Sequence, residues 1–174
     1  MAAAKLVHEH GHDGATIARI TQAANVAVGT FYSHFKSRQQ LLGEVLDDRR
    51  LEMFAHVREC VRGSRSFTEA EQRGFLGFFD YLRLNPTFIH VETAAAVWAA
   101  PNYTCHFIDI ADSYVQSMRR SKSQGGLPAY DDHELPILAY IFMAARHYIS
   151  TRYVLHSRRP PHLPDYVSDA YLKL

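Results

Sequence analysis

Apolar residues recur along the chain mostly at three- and four-residue spacing, with little strict alternation, and this predicts an all-α protein. A first helix over 2–10 presents Ala3, Leu6 and Val7 and is expected to end at Gly11. Thr16 can cap a second helix that carries Ile17, Ile20 and Ala24 on one face. A short third helix follows over 28–35. Ser37 with Gln40 three residues later forms a capping box, which opens a long helix over 38–61 with Leu41, Leu42, Val45, Leu46, Met53 and Val57 on its inner side. Gly63-Ser-Arg-Ser66 breaks that helix. A fifth, over 68–84, must stop before Asn85-Pro86. Pro86 suits the first turn of a sixth, which ends near 100 because Pro101 follows. The seventh spans 103–122, up to Ser123-Gln-Gly-Gly126. An eighth over 131–156 accepts Pro136 only in its first turns, Arg158-Arg-Pro-Pro161 closes it, and 164–172 reads as a last amphipathic helix. That makes about nine helices, with no internal repeat.

The segment from Thr16 to Phe35 has the parts of a helix-turn-helix: an inward apolar stripe, a sharp turn, and a short second helix whose outer face can enter a major groove. Asn25 supplies the turn, being after glycine the residue most at ease at positive φ. Val26 is expected to plug the angle between the two helices. On the second helix Phe31 and Phe35 are four apart and point inward, leaving Val28, Gly29, Thr30, Ser33 and His34 on the outward side and Tyr32 at its edge. That face is small and rich in hydrogen-bonding groups. It holds no nucleophile and base in pairing range, whereas small residues, hydroxyls, an imidazole and a methyl or two suit phosphates, base edges and thymine.

Charge sharpens this picture. Residues 14–43 contain no Asp or Glu, while Arg19, Lys36 and Arg38 give them +3, although the whole chain carries only +1. A polyanion is therefore expected to meet the protein through this segment. With 47% hydrophobic residues the chain can bury a core, which excludes disorder, and no apolar run reaches the roughly 18–20 residues needed to span a bilayer. The expectation is a cytoplasmic protein with no membrane partner. Cys60 and Cys105 lack metal or redox spacing and read as free thiols.

The run TIARITQAANVAVGTFYSHFKSRQQLL closely resembles the signature of the TetR (tetracycline-repressor-like) family of bacterial transcriptional regulators. Residues 1–50 carry the resemblance, most specifically through Gly29-Thr-Phe-Tyr-Ser-His-Phe-Lys-Ser37. It implies a three-helix DNA-binding head over 1–36 and, over 37–174, a helical body for effector binding and dimerisation, joined by the helix over 38–61. It further implies that Thr16, Thr30, Tyr32 and His34 contact phosphates or bases of an operator duplex, that Gly29 permits close backbone approach, and that Arg38 makes a phosphate contact where the family usually has Lys. Ala27, Val28 and Ser33 complete the DNA-facing set. The chain departs from the pattern at three places. Asn25 replaces the turn glycine, Thr21 the usual Ala, and Ala27 the customary Ser cap, the last at a cost of about 0.5–2 kcal/mol. Lys5 alone stands in for a basic arm, so the expectation is either a modest DNA affinity or a natural N-terminus that extends further.

After residue 66 aromatic residues become dense. Core packing must account for most of them. The resemblance also implies a pocket among the fifth to eighth helices for a small, largely apolar effector, for which Phe78, Phe79, Leu82, Phe88, His90, Trp98, Phe107, Tyr114, Phe142 and Arg146 are the candidates. A homodimer is expected through the last two helices, with Leu135, Leu138, Phe142, Ala145, Ile149 and Val154 as one stripe and Tyr166, Val167, Ala170 and Tyr171 as the other. The leading reading is thus a non-enzymatic, cofactor-free, ligand-responsive repressor. Its rival is a helical ligand-binding or interaction module with weak or no DNA binding. A metal hydrolase built on His12-Asp13, or a metal tract of His8, His10 and His12, lacks companion residues at suitable spacing.

Overall fold

The computed structural model describes residues 2–156 and 163–173, and among them every regular element is helical. The elements are α1 (Ala2–Gly14), α2 (Ile17–Ala23), α3 (Val28–His34), α4 (Arg38–Val61), α5 (Phe67–Leu84), α6 (Phe88–Trp98), α7 (Ala100–Ser123), α8 (Leu135–Ser150), which runs on into a π-helical turn (Thr151–Leu155), and α9 (Asp165–Tyr171). The Arg158-Arg-Pro-Pro161 stop lies outside the described residues.

The chain forms two compact units, residues 1–52 with 85–106 and residues 53–84 with 107–174, so α4 and α7 each run from one into the other. In the first unit, Ala3, Val7, Ala15, Ile20, Phe31, Leu41 and Leu42 form a core that also takes in Ala94 of α6. A second cluster joins Ala4 and Leu46 to Val91, Ala95 and Ala99. The buried face of α6 carries Phe88, Ile89, Val91 and Glu92 together with Ala94 and Ala95, and the two alanines are its small residues. Ring contacts extend the seam between α1 and α6: His8 meets His90 edge-on at 4.3 Å, and His12 stacks on Trp98 at 4.1 Å and 5°. The histidines that looked like a metal tract therefore divide their work, two of them binding α1 to α6.

Several expectations change. Gly11 does not end α1: it adopts φ 68°, kinks the helix, and the helical path resumes to Gly14. Val26 is 44% exposed and plugs nothing. Thr21 is buried at the α2 position facing the core, with its hydroxyl donating to the Ile17 and Ala18 carbonyls, while Ala24 is exposed. Pro86 lies in the turn before α6; α6 ends at Trp98, ahead of Pro101 as expected, and Pro101 sits in the first turn of α7, where proline gives up no helical hydrogen bond.

In the second unit, Phe67 of α5, Ala111, Val115 and Met118 of α7, and Leu135, Ala139 and Met143 of α8 form the core, with Phe107, Tyr114, Leu138 and Phe142 packed around it. The stripe expected at a dimer interface is thus corrected. Leu135, Leu138 and Phe142 serve this core, and Val154 is buried as well. The face of α8 left exposed carries Ile137, Tyr140, Ile141 and Tyr148. Tyr171 is also withdrawn from the surface, whereas Tyr166 is exposed.

Candidate nucleic-acid interface

The candidate interface is built from α2, the turn and α3. Thr16 Oγ1 accepts from the Arg19 backbone N–H and so starts α2. The turn closes through two hydrogen bonds around a left-handed residue. Asn25 takes φ 54°, its N–H donates to Gln22 O, and the Val26 N–H donates to Thr21 O. Ala27 is the N-cap of α3 and offers no side-chain acceptor to the first turn, as its methyl predicts.

One residue seats α3. Phe31 is 5% exposed in the core of the first unit, its ring 5.5 Å from Phe35 and 5.3 Å from Tyr32. The helical period then leaves Val28, Gly29, Thr30, Tyr32, Ser33 and His34 on the exposed surface, with Ala27 and Thr16 exposed at the helix starts. A Cβ built on Gly29 meets no atom within 4 Å, so the fold itself does not require glycine there. The Ser33 hydroxyl donates to Thr30 O at 2.7 Å.

The cations are arranged less openly. Arg19 Nη1 donates to Gly14 O. Arg38 is half-buried: Nη1 donates to His12 O at 3.0 Å, and Nη2 lies 3.4 Å from His12 Nδ1. Lys36 is exposed, and its backbone N–H donates to Gln40 Oε1 while the Gln40 N–H donates to Ser37 Oγ, a capping box displaced by one residue. Burial, opposed in part by Asp13 and reinforced by Arg38, lowers the pKa of His12 from its ordinary 6.5.

The residues expected at an effector pocket divide between the units. His90 and Trp98 are engaged on α1, and buried Phe88 lies edge-on to His106 at 6.4 Å. In the second unit Tyr114 stacks on Phe142, with centroids 5.9 Å apart, and the Arg146 guanidinium lies 5.3 Å from the Tyr114 ring. Phe78 and Phe79 contact one another on α5, Leu82 is fully buried, and Phe107 is edge-on to His147. Sequence reasoning missed the polar centre of this group, Glu71, together with Tyr171, whose hydroxyl meets it, and Phe75, on which the Tyr171 ring stacks. A signal existed: Glu71 falls in the same α5 register as Phe67, Gly74 and Phe75, and an acid in an apolar stripe requires a buried partner.

The profile of the family described as "Bacterial regulatory proteins, tetR family" matches residues 1–45. No curated protein sequence matches the chain. Among solved structures, the fatty acid degradation regulator FadR from Bacillus halodurans is similar at TM-score 0.82 and 17% identity, over 98% of this chain and 90% of its own. The TetR-family transcriptional regulator PfmR from Thermus thermophilus is similar at TM-score 0.72 and 18% identity, over 99% and 93%. A transcriptional regulator from Rhodococcus sp. Rha1 is similar at TM-score 0.74 and 19% identity, over 99% and 90%. Among the described residues no helix is long and apolar enough to cross a membrane. Residues 1–45 match the tetR family of bacterial regulatory proteins, and the chain shares the fold of TetR-family regulators.

Proposed function

We propose that the protein is a homodimeric transcriptional repressor that a small, largely apolar effector releases from a pseudo-palindromic operator. Its head spans 1–36 and its effector-binding and dimerisation body 37–174. The observation that carries the reading is the surface of α3. Small and hydrogen-bonding residues cover its exposed side, Phe31 anchors the opposite side, and the surface lies within the 45 residues that match the family. Thr16, Thr30, Tyr32 and His34 are the proposed phosphate and base contacts, with Ala27, Val28, Gly29 and Ser33 allowing close approach. The exposed Ile137, Tyr140, Ile141 and Tyr148 of α8, with Tyr166 beside α9's start, are the proposed self-complementary face for the second copy.

Release requires the effector to favour one head arrangement over another. Within the first unit, the seam of α6 against α1 ties the DNA-facing helices to a segment other than α4. A tenfold loss of operator affinity needs about 1.4 kcal/mol of differential binding.

One observation favours the rival reading of a module with weak DNA binding: the Arg19 and Arg38 guanidinium groups are both turned onto backbone carbonyls of the α1–α2 junction. The same experiment separates the two. Binding sites are selected from a random duplex library, and the enriched site is titrated with Tyr32→Phe, His34→Ala and Phe31→Ala. The repressor reading predicts that the first two weaken binding without lowering the melting temperature. It predicts that Phe31→Ala costs about 3–5 kcal/mol of stability. No enrichment, or equal destabilisation by all three variants, contradicts it.

A further inference from the structure

Within the second unit, α9 buries one side chain, while its exposed Tyr166 hydroxyl lies 3.0 Å from that of Tyr153. Asp165, Tyr166, Asp169 and Ala170 are exposed, Val167, Ser168 and Leu172 are half-buried, and Tyr171 alone is buried. Its ring lies flat on Phe75, with centroids 3.8 Å apart and planes 13° from parallel, and its hydroxyl donates to Glu71 Oε1 at 2.5 Å. Arg146 Nη2 donates to the same carboxylate oxygen at 2.8 Å, and its guanidinium stands 5.9 Å from the Phe75 ring and 5.3 Å from that of Tyr114. The buried Arg146 Nε has no hydrogen-bond partner among the described residues. A further polar tie of α9 to α5 is a bond of 3.4 Å from Gln72 Nε2 to Leu172 O.

Tyr171 thus behaves as a tethered ligand: a phenol in a slot with one aromatic wall and one carboxylate acceptor. We propose that this slot, between Phe75 and the Glu71–Arg146 pair, is a binding site for small neutral phenols, which enter by displacing the Tyr171 ring and so undock α9. The inference rests on the reading that the second unit holds the effector, and it shares Tyr114 and Arg146 with the sequence-predicted pocket. It specifies the effector's chemistry.

The class follows from charge and geometry. Arg146 and Glu71 already neutralise one another, so an anionic aromatic would bring an uncompensated charge against the Glu71 carboxylate. A plain hydrocarbon would fill the ring position and leave the carboxylate without the donor that Tyr171 supplies. A phenol provides both the flat ring and the donor. Burial and the neighbouring Glu71 carboxylate push the Tyr171 hydroxyl well above its ordinary pKa, so the native occupant keeps its proton at neutral pH, as a neutral phenol would.

The test titrates the full chain with 4-methylphenol, the side chain of tyrosine itself, and with toluene and benzoate as controls. Wild type, Tyr171→Ala and Tyr171→Phe are compared by calorimetry. An internal plug lowers apparent affinity by the fraction of time it leaves the slot open. Tyr171→Ala should therefore bind 4-methylphenol about tenfold more tightly than wild type, or more, and prefer it at least about tenfold over both controls. Tyr171→Phe keeps the ring and loses only the donor, so it reports even if the Ala variant does not fold. It should bind 4-methylphenol several-fold more tightly than wild type. Equal affinity in wild type and variants, or toluene bound by the Ala variant as tightly as 4-methylphenol, overturns the proposal. Titration of the selected duplex without any phenol is read separately. DNA binding with failed phenol results rejects the slot and leaves the repressor reading, whereas successful phenol results with no DNA binding do the reverse.

Discussion

Gly29→Ala separates what the fold needs from what the operator needs. In α3 (Val28–His34) glycine is an unfavourable choice, because it loses more backbone freedom on folding than alanine does, and the difference is about 0.5–1 kcal/mol within a helix. Nothing in the protein compensates for that cost: a Cβ on Gly29 has open space for at least 4 Å, and φ is not in the left-handed region. The variant should therefore be more stable than the wild type by up to about 1 kcal/mol. For a chain of this size that corresponds to a rise of roughly 1–4 °C in melting temperature. If the α3 face lies against DNA, the same methyl intrudes where the backbone must approach a phosphate, and affinity for the selected duplex should fall several-fold or more. Thermal denaturation followed by circular dichroism and gel-shift titration give the two quantities. A variant that is stabilised and binds DNA as tightly as the wild type would refute the placement of Gly29 at the interface. A destabilised variant would refute the structural argument itself.

Other expected outcomes follow from the same geometry. Ala27→Ser supplies the missing N-cap acceptor and should stabilise α3 by about 0.5–2 kcal/mol, while tightening operator binding if the hydroxyl also reaches a phosphate; melting and gel-shift curves check both. Burial holds the pKa of His12 below 6.5, so the unfolded chain takes up that proton first, and its contribution to stability is complete at neutral pH and is lost as pH falls below about 6.5. His12→Phe keeps a flat ring against Trp98 and removes the proton site, so urea midpoints measured from about pH 7 to about pH 5 should fall less steeply than in wild type; parallel slopes would contradict this. Ile141→Glu places a charge in the exposed apolar face of α8, away from the core side occupied by Ala139 and Met143, and should give a folded monomer in sedimentation; an unchanged dimer would move the interface elsewhere.

Local chemistry made some elements legible and left others hidden. The bounds of α4 (Arg38–Val61) were readable because Ser37 and Gln40 mark its start and the glycine-containing break marks its end, and Asn25 was readable because few side chains tolerate φ 54°. Gly11 was not, since the same glycine can end a helix or only kink it, and the choice is made by the packing of Ala15 and His12 beyond it. The orientation of α8 was hidden for a related reason. Leu135, Leu138 and Phe142 form one apolar row and Ile137, Ile141 and Tyr148 another, both at helical spacing, and only the partner helices decide which row is inside. In the second unit the aromatic residues could be found from composition. The contact of Glu71 with Tyr171, one hundred residues apart, could not, because nothing local in α5 points to the chain end.

Footprinting of the purified protein on its selected duplex, with stoichiometry from sedimentation of the complex, tests most directly whether two copies of the α3 face read DNA. The account predicts two protected half-sites related by a dyad, their centres about one duplex turn (~34–36 Å) or a multiple of it apart, filled by one dimer. Affinity should fall as salt rises, because phosphate contacts release counterions. A single isolated half-site occupied by a monomer, or protection without sequence preference, would contradict it.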